Sequence, residues 1–411
     1  MKYNPIIWYI SVKLLQRGLN IMKYNFDKSV DRLGTSSVKW DYLDRVFGNS
    51  DVLPMWVADM DFEVPQPVID AVVKRAQHGI YGYTEKPDSF YSSIASWLEK
   101  RHGWHISKDW ISVCPGVVPA ISLSVLSFTE PGDKVLVQTP AYYPFFSSIE
   151  SNDRIIVNNQ LKQENGRYFI DFEDLESKLE SGITAMILCS PHNPVGRVWS
   201  REELGKVGEL CLKYNVLLIS DEIHSDLVYA GNLHIPIASI SEELAQRTVT
   251  CIAPSKTFNI AGLATSIAIM QNEDFRKKFN DTIKRLGIEM SNLFGITALE
   301  AAYTNGYEWL DQLLAYLEGN VDLLMDYFES NIPGIKVSRP EGTYLIWLDC
   351  RELGMNQKDL VSFFINKAHV GLNDGAVFGA SGEGFMRMNI ACPRSLLAEA
   401  LNRIEQAVKD R

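Results

Sequence analysis

The stretch that decides the reading is Ala253-Pro-Ser-Lys-Thr-Phe-Asn-Ile-Ala-Gly-Leu263, which follows directly on the β-branched run Thr248-Val-Thr-Cys-Ile252. A run of that composition reads as a buried strand. Lys256 then stands just past a strand end, among small residues and ahead of a second apolar run. A low-dielectric site disfavours the charged ammonium and leaves a nucleophilic amine. Such amines serve in Schiff-base formation and in proton transfer.

Working outward, the same arrangement recurs. "KVLVQTP" (134–140), "AMILCSPHNPVG" (185–196) and "VLLISDEIHSD" (216–226) read as strands buried on both faces, each ending in a polar, turn-forming cluster. Between the last two, "SREELGKVGELCLKYN" (200–215) reads as an amphipathic helix with a Ser N-cap and Glu three residues on. Upstream, "VIDAVVKRAQHGI" (68–80) and "FYSSIASWLEKRHGW" (90–104) carry apolar residues at helical spacing. The alternation predicts βαβ units and an α/β fold with a mainly parallel central sheet. Downstream, the long helical segment 306–334 leads into "GTYLIWLDC" (342–350) and "GFMRMNIACP" (384–393), strands of a smaller α+β lobe. The expected division is residues 22–70 as the N-terminal segment of the small domain, 71–315 as the large domain and 316–411 as the C-terminal small domain.

A chain of 411 residues suffices for such a two-lobed core. A net charge of −11 with no basic stripe argues against a nucleic-acid partner. Six scattered cysteines without a CxxC pair suit a reduced, cytoplasmic protein. "PIIWYISVKLL" (5–15) is too short to span a membrane. "MKYN" occurs at Met1 and again at Met22, so residues 1–21 read as an upstream extension, from a mis-assigned start codon or as a membrane-surface anchor. His102 and His105 have metal-like spacing, but no further Cys or His is nearby, and they read as a surface helix end.

Ligands of open parallel α/β sheets bind outside the carboxyl ends of the strands. By that rule Tyr142, Asn193, Asp221, His224 and Lys256 converge on one crevice. Singly, each has an ordinary reading: a surface lysine, a helix N-cap aspartate, a turn-forming asparagine, a core histidine. Jointly, the lysine and a partnerless aspartate are satisfied by an aldehyde cofactor with a protonatable ring nitrogen, pyridoxal 5′-phosphate. Tyr142 would supply a flat face for the ring and Asn193 a donor for its hydroxyl. "CPGVVPAIS" (114–122) reads as strand end, glycine and helix start, a cradle of backbone amides for phosphate, with Ser255 as a further donor.

The collinear motifs "PGV", "TPAYYPF", "PHNPVGRVWS", "SDEIHSDLVY", "APSKTFNIAGL" and "MRMNIACPR" resemble the fold-type I pyridoxal-phosphate enzymes of the class I/II aminotransferase superfamily. "PMWVADMDF" (54–62), "YGYT" (81–84) and "GVVPAIS" (116–122) are similar to its MalY/PatB branch of cystathionine β-lyases. The resemblance implies that Lys256 holds the cofactor's aldehyde and is the catalytic base, and that Asp221 pairs with the ring nitrogen. It places Asn193 and His224 by the ring hydroxyl, Tyr142 on the ring, and Gly116, Val117 and Ser255 around the phosphate. Tyr83 would reach the partner's phosphate across a homodimer interface, and Arg387 would bind the carboxylate of a small amino-acid substrate. An arginine within the apolar strand "FMRMNIA" independently calls for an anion. The implied activity is carbon–sulfur β-elimination from L-cystathionine or other cysteine S-conjugates. Transamination is the alternative, and a regulatory role beside catalysis, binding a transcription activator, is a second. Aspartate aminotransferases carry a tyrosine where this chain has His224 and an arginine where it has Ala264; both departures agree with the lyase branch.

Overall fold

The computed structural model describes residues 23–411; the expected extension 1–21 lies outside the described residues. The central sheet has seven strands: β1 Ile111–Cys114, β2 Lys134–Val137, β3 Ile155–Asn158, β4 Ala185–Cys189, β5 Leu217–Asp221, β6 Thr248–Ile252 and β7 Ser266–Ile269, in the order β1-β7-β6-β5-β4-β2-β3. The run β3, β2, β4, β5, β6 is parallel throughout. β7 alone runs antiparallel, between β6 and β1. Every residue of β4, β5 and β6 is buried. Helices therefore cover both faces of these strands, which is why they carry continuous rather than alternating apolar runs.

The connecting helices follow from local chemistry. Arg201–Lys213 opens with a complete capping box, the Ser200 hydroxyl accepting from the Glu203 amide while the Glu203 carboxylate accepts from the Ser200 amide. Val117–Phe128 starts at Gly116 without a side-chain cap, so its first amides are left for another acceptor.

A second, antiparallel sheet of four strands is ordered Lys336–Val337, Leu345–Asp349, Phe385–Asn389, Asn373–Asp374. The helices Tyr307–Asn331 and Arg394–Lys409 pack together beside it. The expected boundary at 315/316 falls inside the first of these, a single helix of 25 residues. Leu53–Pro54 pairs in parallel with Val370–Gly371. That pairing delivers the segment 56–62 to the carboxyl ends of the central strands.

Candidate active site

The strand ends do converge. Tyr142, Asn193, Asp221, His224, Ser255 and Lys256, with Gly116 and Val117, all line one cavity of about 200 Å³. Asp221 is the last residue of β5, and Lys256 lies in the one-turn helix Pro254–Thr257 just past β6. Gly116 and Val117 form the start of their helix, and a Cβ on Gly116 would sit 3.2 Å from Pro119 Cδ. Glycine there keeps the backbone amides open to whatever occupies the cavity.

The charges in this cavity are met by neutral backbone groups. The only hydrogen bond to the Asp221 carboxylate among the described residues comes from the Ile223 amide, at 3.1 Å. Burial pushes Asp221 up to about 7, against the pull of that amide and of Lys256. Lys256 donates to the Ala58 carbonyl at 2.6 Å and forms no ion pair among the described residues. Burial lowers it to about 8, aided by Arg387 and opposed by Asp59 and Asp221. Burial also holds His224 well below its ordinary value, with Lys256 and Arg387 acting in the same sense, so the ring is neutral. Its Nδ1 is buried without a hydrogen-bond partner. Tyr142 is pushed up to about 12 by burial.

Arg387 lies in the strand Phe385–Asn389, where the sequence placed it. It donates to Asn193 Oδ1 at 3.0 Å, Asn373 Oδ1 at 2.6 Å and the Trp56 carbonyl at 3.2 Å, and its Nε is buried and unpartnered. All three acceptors are neutral. A guanidinium held by neutral oxygens is a site for an anion brought from outside. Tyr83 is 96 % exposed and does not line this cavity.

These features fit pyridoxal 5′-phosphate: an amine of lowered pKa, a carboxylate in need of a cationic partner, an orphaned histidine nitrogen and a helix N-terminus opening on glycine. The donor set matches the aldehyde, ring nitrogen, ring hydroxyl and phosphate of that group.

Two features escaped sequence reasoning. Tyr344 donates to the Ala58 carbonyl at 2.9 Å, the same oxygen that receives Lys256. Nothing distinguishes this tyrosine from a core residue in the sequence. His102 is the other: it is no surface residue, for its side chain is 4 % exposed and its Nε2 lies 2.8 Å from Asp226. His105 does stand in solvent. Asp226, which draws His102 in, is 124 residues away in the chain and leaves no local signal.

Comparison with known proteins agrees with this geometry. The model of the family described as aminotransferase class I and II matches residues 50–404. The chain is similar to cystathionine beta-lyase PatB of Bacillus subtilis, 47% identical over 385 residues that cover 93% of this chain and 100% of the relative. It is 35% identical over 390 residues to protein MalY of Escherichia coli, covering 94% and 99%. The crystal structure of cystalysin from Treponema denticola, which contains a pyridoxal 5′-phosphate cofactor, matches with a TM-score of 0.92 at 40% identity, covering 95% of this chain and 100% of that one.

Proposed function

The chain belongs to the class I and II aminotransferase family, within its MalY/PatB branch, and from that premise we propose a pyridoxal 5′-phosphate-dependent carbon–sulfur β-lyase acting on L-cystathionine or related cysteine S-conjugates. The products are a thiol (homocysteine from cystathionine), pyruvate and ammonia. The observation that carries this reading is the pair of buried Asp221 and half-buried Lys256, lining one cavity with a single backbone hydrogen bond each.

When bound, pyridoxal phosphate supplies an aldehyde for amines and a protonated ring that draws off the electron pair left at Cα. Lys256 would hold that aldehyde and, once free, take up the Cα proton of the amino acid; a pKa near 8 suits a base working close to neutrality. The same amine would return that proton to the departing sulfur and then take back the aldehyde, so that the three-carbon remainder leaves and, with one water, ends as pyruvate and ammonia. Asp221 would keep the ring nitrogen protonated, which restores to the carboxylate the cationic partner it lacks. Neutral His224, with its open Nδ1, and Asn193 would flank the ring hydroxyl, and Tyr142 would lie on the ring. Gly116, Val117 and Ser255 would cradle the phosphate. Arg387 would exchange neutral acceptors for the substrate carboxylate, a stronger, bidentate pairing.

The same reading extends to a homodimer. Ile80, Tyr81, Tyr83 and Met290 are all exposed, and the Tyr81 ring lies 5.6 Å from that of Phe294, apolar surface that a second copy of the chain would cover. Tyr83 would cross that interface to the partner's phosphate. All six cysteines are buried and unpaired, which suits a cytoplasmic enzyme. Among the described residues no helix is long and apolar enough to cross a membrane.

The test is incubation with L-cystathionine, with and without an added keto acid, following pyruvate and free thiol. Equal amounts of both products without a keto acid establish β-elimination. Turnover that requires the keto acid makes the protein an aminotransferase.

A further inference from the structure

Behind the cavity lies a buried network that the reaction itself does not use. Asp226 receives three donors: Trp97 Nε1 at 3.0 Å and His102 Nε2 at 2.8 Å on one carboxylate oxygen, and the Thr257 hydroxyl at 2.8 Å on the other. Asp226 does not line the cavity. Thr257, however, is the residue next to Lys256. A parallel arm holds the other anchor. Glu222, next to Asp221, accepts from Ser220 at 2.9 Å and from the Ile237 amide at 3.2 Å, and pairs with His234 at 2.9 Å. The rings of His102 and His234 meet edge to face, 5.2 Å between centroids.

We propose that Asp226 is a positioning residue for Lys256, acting through the hydroxyl of Thr257. The one-turn helix Pro254–Thr257 is four residues long and has no side-chain cap at Ala253. A single turn does not hold its own direction. Its aim is set by what grips it from outside, and the Thr257 hydroxyl is the side-chain grip adjacent to the amine. Asp226 is in turn fixed by the 15-residue helix Asp88–His102, which contributes Trp97 and His102. Burial would raise the Asp226 pKa, but His102, Thr257 and Arg101 outweigh it and keep the carboxylate ionised, hence a strong acceptor. The chain from helix to Asp226 to Thr257 thus couples a rigid element to the amine.

The proposal rests on the reading of Lys256 given above. Its test uses Thr257→Val, which removes the hydroxyl at nearly constant shape, and Thr257→Ser, which keeps it. The first readout needs no cofactor: acetylation of Lys256 by acetic anhydride in the cofactor-free protein, followed against pH by peptide mass spectrometry. Wild type should titrate at about 8. Thr257→Val should move the midpoint up by about one unit as the amine moves further into solvent. In the loaded enzyme Thr257→Val should lower kcat roughly tenfold to a hundredfold with KM for L-cystathionine nearly unchanged, since the loss is one of placement. Thr257→Ser should restore both. If Thr257→Val gives no folded protein, Asp226→Asn carries the same expectations. An unmoved midpoint with unchanged kcat overturns the proposal, and so does a Ser variant as impaired as Val. A wild-type midpoint near the ordinary 10.5 would instead overturn the reading of Lys256 itself.

Discussion

Asp61 and Asp221 are buried to the same extent, each 4 % exposed, yet burial has opposite consequences for them. Asp61 meets Lys39 at 2.6 Å, Arg32 at 2.7 Å and the Trp40 indole at 2.8 Å. Burial pushes its pKa up, but Lys39, Trp40 and Arg32 together hold it below the ordinary carboxylate value. Asp221 has one amide and rises to about 7. The lysines divide the same way: Lys39 is spent on Asp61, while Lys256 has only a carbonyl. A buried charge marks a structural element when its partners are complete. It marks a functional site when they are missing.

The largest effect expected on the functional side is that of Lys256→Ala. Steady-state assays should show turnover falling by roughly a thousandfold or more, because one amine serves as both anchor and base. Activity near the wild-type level would remove Lys256 from its role.

Next comes Asp221→Asn against Asp61→Asn. Asp221→Asn should lower kcat by about a thousandfold, on the order of 4 kcal/mol of transition-state stabilisation. Asp61→Asn should instead cost about 3–5 kcal/mol of folding stability, since it leaves Lys39 buried beside fewer charges. Urea denaturation of the cofactor-free proteins against pH sharpens the contrast. The folded pKa of Asp221 is raised, so the stability it contributes is complete below about pH 4 and lost as pH rises through about 7. Wild type should therefore weaken relative to Asp221→Asn over that window, by on the order of 4 kcal/mol. Asp61 is shifted the other way, and its contribution is lost only as pH falls below the ordinary carboxylate range. Parallel pH curves for wild type and Asp221→Asn would erase the distinction.

A smaller effect is expected from Arg387→Lys. The ammonium keeps the charge but loses the two-pronged geometry, so kcat/KM should fall roughly tenfold to a hundredfold, chiefly through KM. A variant that binds substrate as well as wild type would place the carboxylate elsewhere. The smallest is Tyr83→Phe. Loss of one hydroxyl across the proposed interface should weaken cofactor affinity by up to about tenfold in an equilibrium titration.

Much of this contrast was legible in the sequence on the functional side and little on the structural side. Strand ends are local features: β-branched runs stop at turn-forming residues, and Lys256, Asp221 and Asn193 stand where the runs stop. The capping box of Arg201–Lys213 is likewise written in consecutive residues. The direction of β7 is not, because a four-residue buried run looks the same parallel or antiparallel. Nor are pairings between distant segments. Asp61 meets Lys39 from 22 residues away in the chain, and His102 is buried by an aspartate on another element. Partner completeness is a property of tertiary contacts, so sequence can locate a buried charge but cannot say whether it is satisfied.

The most direct measurement of the difference between the two clusters is borohydride reduction of the protein loaded with pyridoxal phosphate, followed by peptide mapping. One pyridoxyl group per chain on the peptide carrying Lys256, and none on the peptide carrying Lys39, is the expected result. Label spread over surface lysines, or a Lys256 peptide recovered unmodified, would contradict it.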